Sequence, residues 1–217
     1  MRKTLLAAVA AVSAAAFAAP AMAAVSIVDF TDNAWSGVSG SNPFTVGNVS
    51  LSSVGGNMTF NSGGDAAGCS DAGAGLACDG DGIGVRDDEV TGNTQELLKV
   101  TFSKAVNLLD IHLLDLFVLD TGTNLTEFAE ISFDGATFNT LANGVDPNGV
   151  NGGYVEASSQ GFAGMSGVTS FYLRGLDNPV SDFALARLAY EDVPEPAALG
   201  LLGLGLAGLG FARRRRA

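Results

Sequence analysis

Positive charge is scarce in this chain: 11 lysines and arginines stand against 23 aspartates and glutamates. Six of the eleven lie at the extremities, Arg2 and Lys3 at one and Arg213, Arg214, Arg215 and Arg216 at the other. The stretch between them holds five basic residues against all 23 acids, a net −18. Affinity for nucleic acid comes mainly from lysine and arginine displacing counterions, so this distribution excludes nucleic acid as a partner. Histidine occurs once, at His112, and cysteine twice, at Cys69 and Cys78. A structural zinc site needs about four such ligands, which removes zinc. One tryptophan and three tyrosines make a meagre platform for stacking carbohydrate, with Trp35, Tyr154 and Tyr172 as its candidates. The interior also has no convincing helical periodicity.

The overall hydrophobic content of 47% reflects apolar ends as much as a core. Arg2 and Lys3 precede an apolar and small-residue run, Leu5 to Phe17, then Pro20 and Ala21-Met22-Ala23. That order is a secretory signal peptide over residues 1–23, with signal peptidase expected to cut between Ala23 and Ala24. Export through the secretion machinery would carry Cys69 and Cys78 into an oxidising compartment. Their separation of nine positions then predicts a disulfide. Closing so short a loop is worth roughly 2–3 kcal/mol on the chain-entropy model.

Residues 24–192 read as one all-β ectodomain. Short runs with period-two alternation recur between Gly, Asn and Asp: Val25 to Phe30, Phe44 to Leu51, Asn57 to Phe60, Leu98 to Phe102 and Val106 to Phe117. Further runs are Glu127 to Phe133, Thr137 to Leu141, Tyr154 to Ala157, Val168 to Arg174 and Phe183 to Tyr190. Asp134-Gly135 predicts a short hairpin turn. About ten strands with turn chemistry between them predict an antiparallel β-sandwich of jelly-roll type. A signal helix and a C-terminal transmembrane helix would flank it. Two long loops interrupt the pattern, Gly63 to Gly84 and Ala142 to Gly153.

The densest group of hard oxygen ligands is Asp79-Gly80-Asp81-Gly82 followed by Asp87-Asp88-Glu89. It fails the EF-hand pattern at Ile83 and Val90. A less regular Ca²⁺ site formed by Asp79, Asp81, Asp87 and Asp88 remains as an expectation; no cofactor is required. His112 reads as a packed or solvated strand residue, and no local context singles out a catalytic carboxylate pair.

The C-terminal segment is tripartite. Val193-Pro194-Glu195-Pro196 is followed by sixteen apolar or Gly residues, Ala197 to Ala212, and then by Arg213 to Arg216. Two prolines one residue apart forbid regular structure and leave an extended peptide. The apolar run would rise about 24 Å as a helix, slightly short of the hydrocarbon core. The arginines would remain cytoplasmic and stop export. Residues 193–217 resemble the PEP-CTERM sorting signal of Gram-negative bacteria. The resemblance implies that Pro194, Glu195 and Pro196 are recognised by an exosortase, a membrane cysteine transpeptidase-like enzyme. It also implies that Ala197 to Ala212 anchor the chain transiently in the inner membrane and that Arg213 to Arg216 form the basic stop. Proteins with this signal are generally associated with exopolysaccharide and the outer surface. The segments Gly82-Ile83-Gly84-Val85, Asp88-Glu89-Val90, Glu96 to Phe102 and Asp182-Phe183-Ala184-Leu185 look like ectodomains that often precede it.

The expectation is therefore an exosortase-processed surface or extracellular-matrix protein, tied to exopolysaccharide and biofilm, with a non-catalytic binding or structural ectodomain. Its rivals are a calcium-dependent carbohydrate-binding module and a secreted polysaccharide hydrolase.

Overall fold

One strand organises the molecule. In the computed structural model, which describes residues 23–60, 69–70, 72–92, 95–118, 125–145, 151–178 and 180–193, Leu97–Leu114 forms a single strand of 18 residues. Numbered along the chain, the strands are β1 (Val25–Asp29), β2 (Phe44–Val46), β3 (Val49–Val54), β4 (Met58–Phe60), β5 (Ile83–Val85) and the long β6 (Leu97–Leu114). Then come β7 (Phe128–Ser132), β8 (Asn139–Asn143), β9 (Val155–Glu156), β10 (Met165–Gly175) and β11 (Ala184–Asp192). All join one eleven-stranded sheet with the order β4-β5-β11-β6-β10-β7-β8 along its main path. Every pairing is antiparallel.

The sequence suggested separate strands at Leu98 to Phe102 and Val106 to Phe117, and the structure runs them together. The first half of β6 pairs with β3, Leu97 to Phe102 against Val54 to Val49. Its second half gives the same edge to β11, Val106 to Leu114 against Asp192 to Ala184. β10 runs along the opposite edge from Leu98 to Leu108, and β9 continues it at His112 and Leu113. Hydrogen bonding is therefore continuous where two separate sheets of a jelly-roll sandwich were expected. The sheet curls around one core containing Phe30, Trp35, Leu51, Val100, Phe171 and Leu188.

Two bulges explain the burial pattern of the central pair. Leu108 faces Tyr190 while Asp110 faces Ala189, so Leu109 is an extra residue on β6. One added residue moves every later side chain to the other face. Before it the core residues are Leu98, Val100, Phe102, Val106 and Leu108; after it they are Ile111 and Leu113. Ala186 is the matching extra residue on β11, between Leu185 and Arg187. The outward residues Leu114, Ala184 and Ala186 are also buried, in a second cluster under Cys69 with Ala72, Leu76, Cys78 and Tyr154.

Cys69 and Cys78 are disulfide-bonded, as expected, with their Cα atoms 5.7 Å apart. The bridged loop is stitched to the end of β1. Thr31 O accepts from Asp79 N and Gly80 N, Thr31 Oγ1 accepts from Cys78 N, and Asp29 Oδ2 accepts from Ala77 N at 2.7 Å. The span read as one long loop ends in β5, a short strand whose three residues are all buried. The run Phe44 to Leu51 is in fact a hairpin, turning at Gly47-Asn48 with Gly47 at φ 57°. Asp134-Gly135 lies in a longer connection than expected, since Ile131 pairs with Asn139. Asp134 Oδ1 organises it by accepting from Ala136 N and Thr137 N, each at 2.8 Å. Hydrogen bonds from Thr137, Ala136 and Ser132 hold the Asp134 carboxyl below the usual carboxylate range.

Candidate functional site

The two points at which the ectodomain joins its terminal segments lie side by side. Ala24 to Val193 form one compact unit. Antiparallel pairing of β1 with β11 sets Val25 opposite Glu191, so the head of β1 and the exit of β11 share one end of the sheet. Lys104 Nζ sits 2.8 Å from Asp192 Oδ2 at that end, on the last residue of β11. Both side chains are largely exposed, so the pair adds little stability. Ala23 and Ala24, the expected signal-peptidase site, lead into β1. The recognition residues Pro194, Glu195 and Pro196, the apolar run Ala197 to Ala212, the stop residues Arg213 to Arg216, and the signal segment before Ala23 lie outside the described residues. No helix among the described residues is long and apolar enough to cross a membrane.

The opposite end of the sheet is acidic. Its loops are tied together through backbone bonds from Val90 to Phe183, Gly92 to Ser181, Asp115 to Gly152 and Glu127 to Phe117. These ties bring Glu89 into the field of Asp182, Asp115, Asp88 and Glu127. Burial first, and then those four carboxylates in that order, push the Glu89 carboxyl up to about 10. A proton on Glu89 relieves the repulsion.

Of the four aspartates nominated for calcium, Asp88 belongs to this group. Asp79 Oδ2 accepts from Asn33 N at 3.1 Å and so helps stitch the disulfide loop to the turn after β1. Asp81 is buried at 4% exposure beside β5, whereas Asp87 is exposed and Asp88 only partly buried. Among the described residues, no three His, Cys, Asp or Glu side chains are placed to hold a metal ion. The sequence marked Glu89 beside Asp87 and Asp88 but not its partners from other loops, because nothing local joins residue 89 to residues 115, 127 and 182.

The single histidine belongs to a third arrangement. Asp110 and His112 project from the same face of β6, since they are two residues apart. His112 is 8% exposed, and its Nε2 lies 3.4 Å from Asp110 Oδ2. Its Nδ1 meets the Tyr154 hydroxyl in a short hydrogen bond. The same hydroxyl donates to Glu156 Oε1 at 3.1 Å. Ser158 N donates to Asp110 Oδ1 at 2.9 Å, and Ser158 Oγ donates to Asp110 Oδ2. Burial opposes ionisation of Asp110, but the bonds from His112 and Ser158 outweigh it and hold its carboxyl below its ordinary range. Serine, histidine and aspartate are therefore neighbours without forming a nucleophilic relay. A serine nucleophile needs the imidazole as its base, and here the serine bonds to the carboxylate. Only Asp110 and His112, two apart on β6, were neighbours by sequence; Tyr154, Glu156 and Ser158 are brought to them by the pairing of β9 with β6.

The aromatic candidates separate as well. Trp35 is 2% exposed and belongs to the core, its ring 4.6 Å from Phe30 and 6.0 Å from Phe44. It presents no stacking surface, which corrects the sequence expectation. Tyr154 is engaged with His112. Tyr172 lies on the outer face of β10, with Lys99 Nζ 5.1 Å from its ring centroid. Beside it Arg174 bonds Glu130 at 2.7 Å and covers the Phe138 ring at 4.0 Å.

The family model of the PEP-CTERM protein-sorting motif matches residues 192–216. This chain carries a PEP-CTERM sorting motif. The match begins at Asp192, the last residue of β11, so the sorting segment starts where the sheet ends. The PEP-CTERM motif implies an exported protein that is anchored transiently in the membrane and then processed by an exosortase. Neither a curated protein nor a solved structure matches the chain.

Proposed function

We propose that signal peptidase releases this protein after Ala23 and that an exosortase recognises Pro194-Glu195-Pro196. The curled β-sheet domain is then delivered to the cell surface or extracellular matrix as a non-catalytic structural or binding module of an exopolysaccharide biofilm. In this reading residues 1–23 are the signal peptide, 24–192 the working domain and 193–217 a disposable sorting signal. The observation that carries it is the motif match at residues 192–216. Its placement supports the division, because only Val193 separates the last strand residue, Asp192, from Pro194. Proline at 194 cannot donate to a ladder and turns its predecessor away from helix, which suits an extended segment offered to an enzyme.

The non-catalytic reading of the domain is supported by the engagement of His112 with Tyr154 and Asp110, and of Ser158 with Asp110. The module works without a cation in this reading, with a proton on Glu89 easing the acidic end. Intact-mass measurement of the mature protein, with its cell fraction, tests the sorting account. The expected species begins at Ala24 and lacks Arg213 to Arg216. A species that retains both ends would contradict it. Incubation with the producing cell's own polysaccharide tests the domain: binding without new reducing ends is expected, and turnover abolished by one carboxylate substitution would make the protein a hydrolase.

A further inference from the structure

β9 contains only Val155 and Glu156, yet the stretch Tyr154 to Gln160 is strapped across the second half of β6. Besides the two ladder pairs of β9 and the bonds between Gln160 and Asn143, two side-chain attachments fasten it to β6. Ser158 is fastened to Asp110 through both its amide and its hydroxyl. The other attachment is a chain of three side chains running from His112 through Tyr154 to Glu156.

That second chain has a proton count. The Tyr154 hydroxyl carries one hydrogen, and burial followed by the Glu156 carboxylate pushes its pKa up, so it keeps that hydrogen. If the hydroxyl donates to Glu156, it can only accept from His112 Nδ1, which must then bear a hydrogen. His112 Nε2 faces a carboxylate oxygen of Asp110 and must bear one too. Both bonds to Tyr154, together with the contact to Asp110, are satisfied at once only by the imidazolium. In the neutral ring Nδ1 becomes an acceptor, the Tyr154 hydrogen turns toward it, and exposed Glu156 loses its donor to water. The charged groups facing His112 are Asp110 on its own strand, Glu156 across the strap and Arg187, its register partner on β11. The Arg187 guanidinium is turned toward the disulfide loop, donating to Ala74 O at 3.0 Å and to Gly75 O at 3.5 Å.

We propose that His112, Tyr154 and Glu156 form a proton-sensitive latch: protonation of His112 fastens the strap of residues 151–160 to the sheet, and its loss releases the Glu156 end. Histidine changes charge between pH 5 and 8, within the range an exported protein meets outside the cell. Asp110 stays ionised through that window because its carboxyl is held low. The Ser158 attachment therefore persists, and the release is local.

Hydrogen–deuterium exchange on the full-length chain at pH 5.5 and pH 8, corrected for intrinsic chemical exchange, reads the latch directly over residues 151–160. The wild type should show about fivefold greater protection there at the lower pH, the equilibrium worth of about one net hydrogen bond. Tyr154→Phe keeps the ring against the cluster of Cys69, Leu114, Ala184 and Ala186 while removing the hydroxyl, and His112→Gln removes the imidazole. Both should give the same protection at the two pH values once the change shared by the rest of the sheet is subtracted. A wild-type strap that changes with pH no more than the rest of the sheet, or a strap-specific pH difference that survives in Tyr154→Phe, would overturn the proposal.

Discussion

Replacing Glu89 by glutamine should change how stability depends on pH more than it changes stability itself. The Glu89 carboxyl is raised from 4.5 to about 10 by burial and by Asp182, Asp115, Asp88 and Glu127. A raised carboxyl means that the folded chain binds a proton which the unfolded chain has already released. Its contribution is fully present below the unfolded value and is lost as pH rises toward the folded one. Each pH unit in that window removes at most about 1.4 kcal/mol. Between pH 6 and pH 8 the wild type should therefore lose up to about 2.7 kcal/mol relative to Glu89→Gln, less whatever solvent screening takes from a partly buried group. Glutamine keeps the shape of a protonated carboxyl and carries no charge, so the two proteins should be close in stability near pH 5 and diverge above it. Urea unfolding of both at a series of pH values gives the difference curve. Parallel stability profiles from pH 5 to pH 9 would refute the argument, as would a variant that loses more stability than the wild type on going alkaline.

Reduction of the Cys69–Cys78 bond, or its replacement by two serines, should lower stability by roughly 2–3 kcal/mol through loop entropy alone. It should also expose Leu114, Ala184 and Ala186 to a hydrophobic dye, and both effects are read by a melt with and without reductant. Trp35→Ala should destabilise by roughly 3–5 kcal/mol in chemical unfolding, because it empties a core site between Phe30 and Phe44. A loss of carbohydrate binding at unchanged stability would instead restore Trp35 as a stacking residue. Millimolar Ca²⁺ should leave the Tm where chelator leaves it, since among the described residues no three His, Cys, Asp or Glu side chains are placed to hold a metal ion; a calcium-dependent rise in Tm would give Asp79, Asp81, Asp87 and Asp88, or Glu89 and its neighbours, the role of ligands.

The fold was legible wherever a strand showed its period along the chain, and obscure wherever tertiary contacts decided. Leu98, Val100 and Phe102 alternate with polar neighbours and marked their strand directly. Continuity of that strand into Val106 to Leu114 was hidden by exposed Ser103 and Lys104, which look like a turn. The bulge at Leu109 then reversed the alternation within one strand, so no single period describes it. β5 was invisible because it is three residues with a glycine in the middle; a Cβ on Gly84 would meet the Asp88 carbonyl oxygen at 2.0 Å. The disulfide followed from spacing and compartment and needed no knowledge of the sheet. The acidic end and the His112 group joined residues far apart in the chain, and only topology brings those together. For the sorting segment the situation is reversed, because its order of turn-forming prolines, apolar span and arginines is carried by the sequence itself.

The central claim is that the tail is a processing signal whose tripeptide is read by an enzyme. Substituting Ala for Pro194, Glu195 and Pro196 leaves the apolar run and the arginines unchanged while altering backbone shape and amide donors. An epitope tag placed after Ala217 can be followed in the wild type and in this variant, in cells with and without the exosortase. The account predicts that the tag is lost only when the native tripeptide and the enzyme are both present, and that the other three cases leave a full-length species in the inner membrane. Equal retention of the tag in all four would contradict it and reduce residues 193–217 to an ordinary anchor.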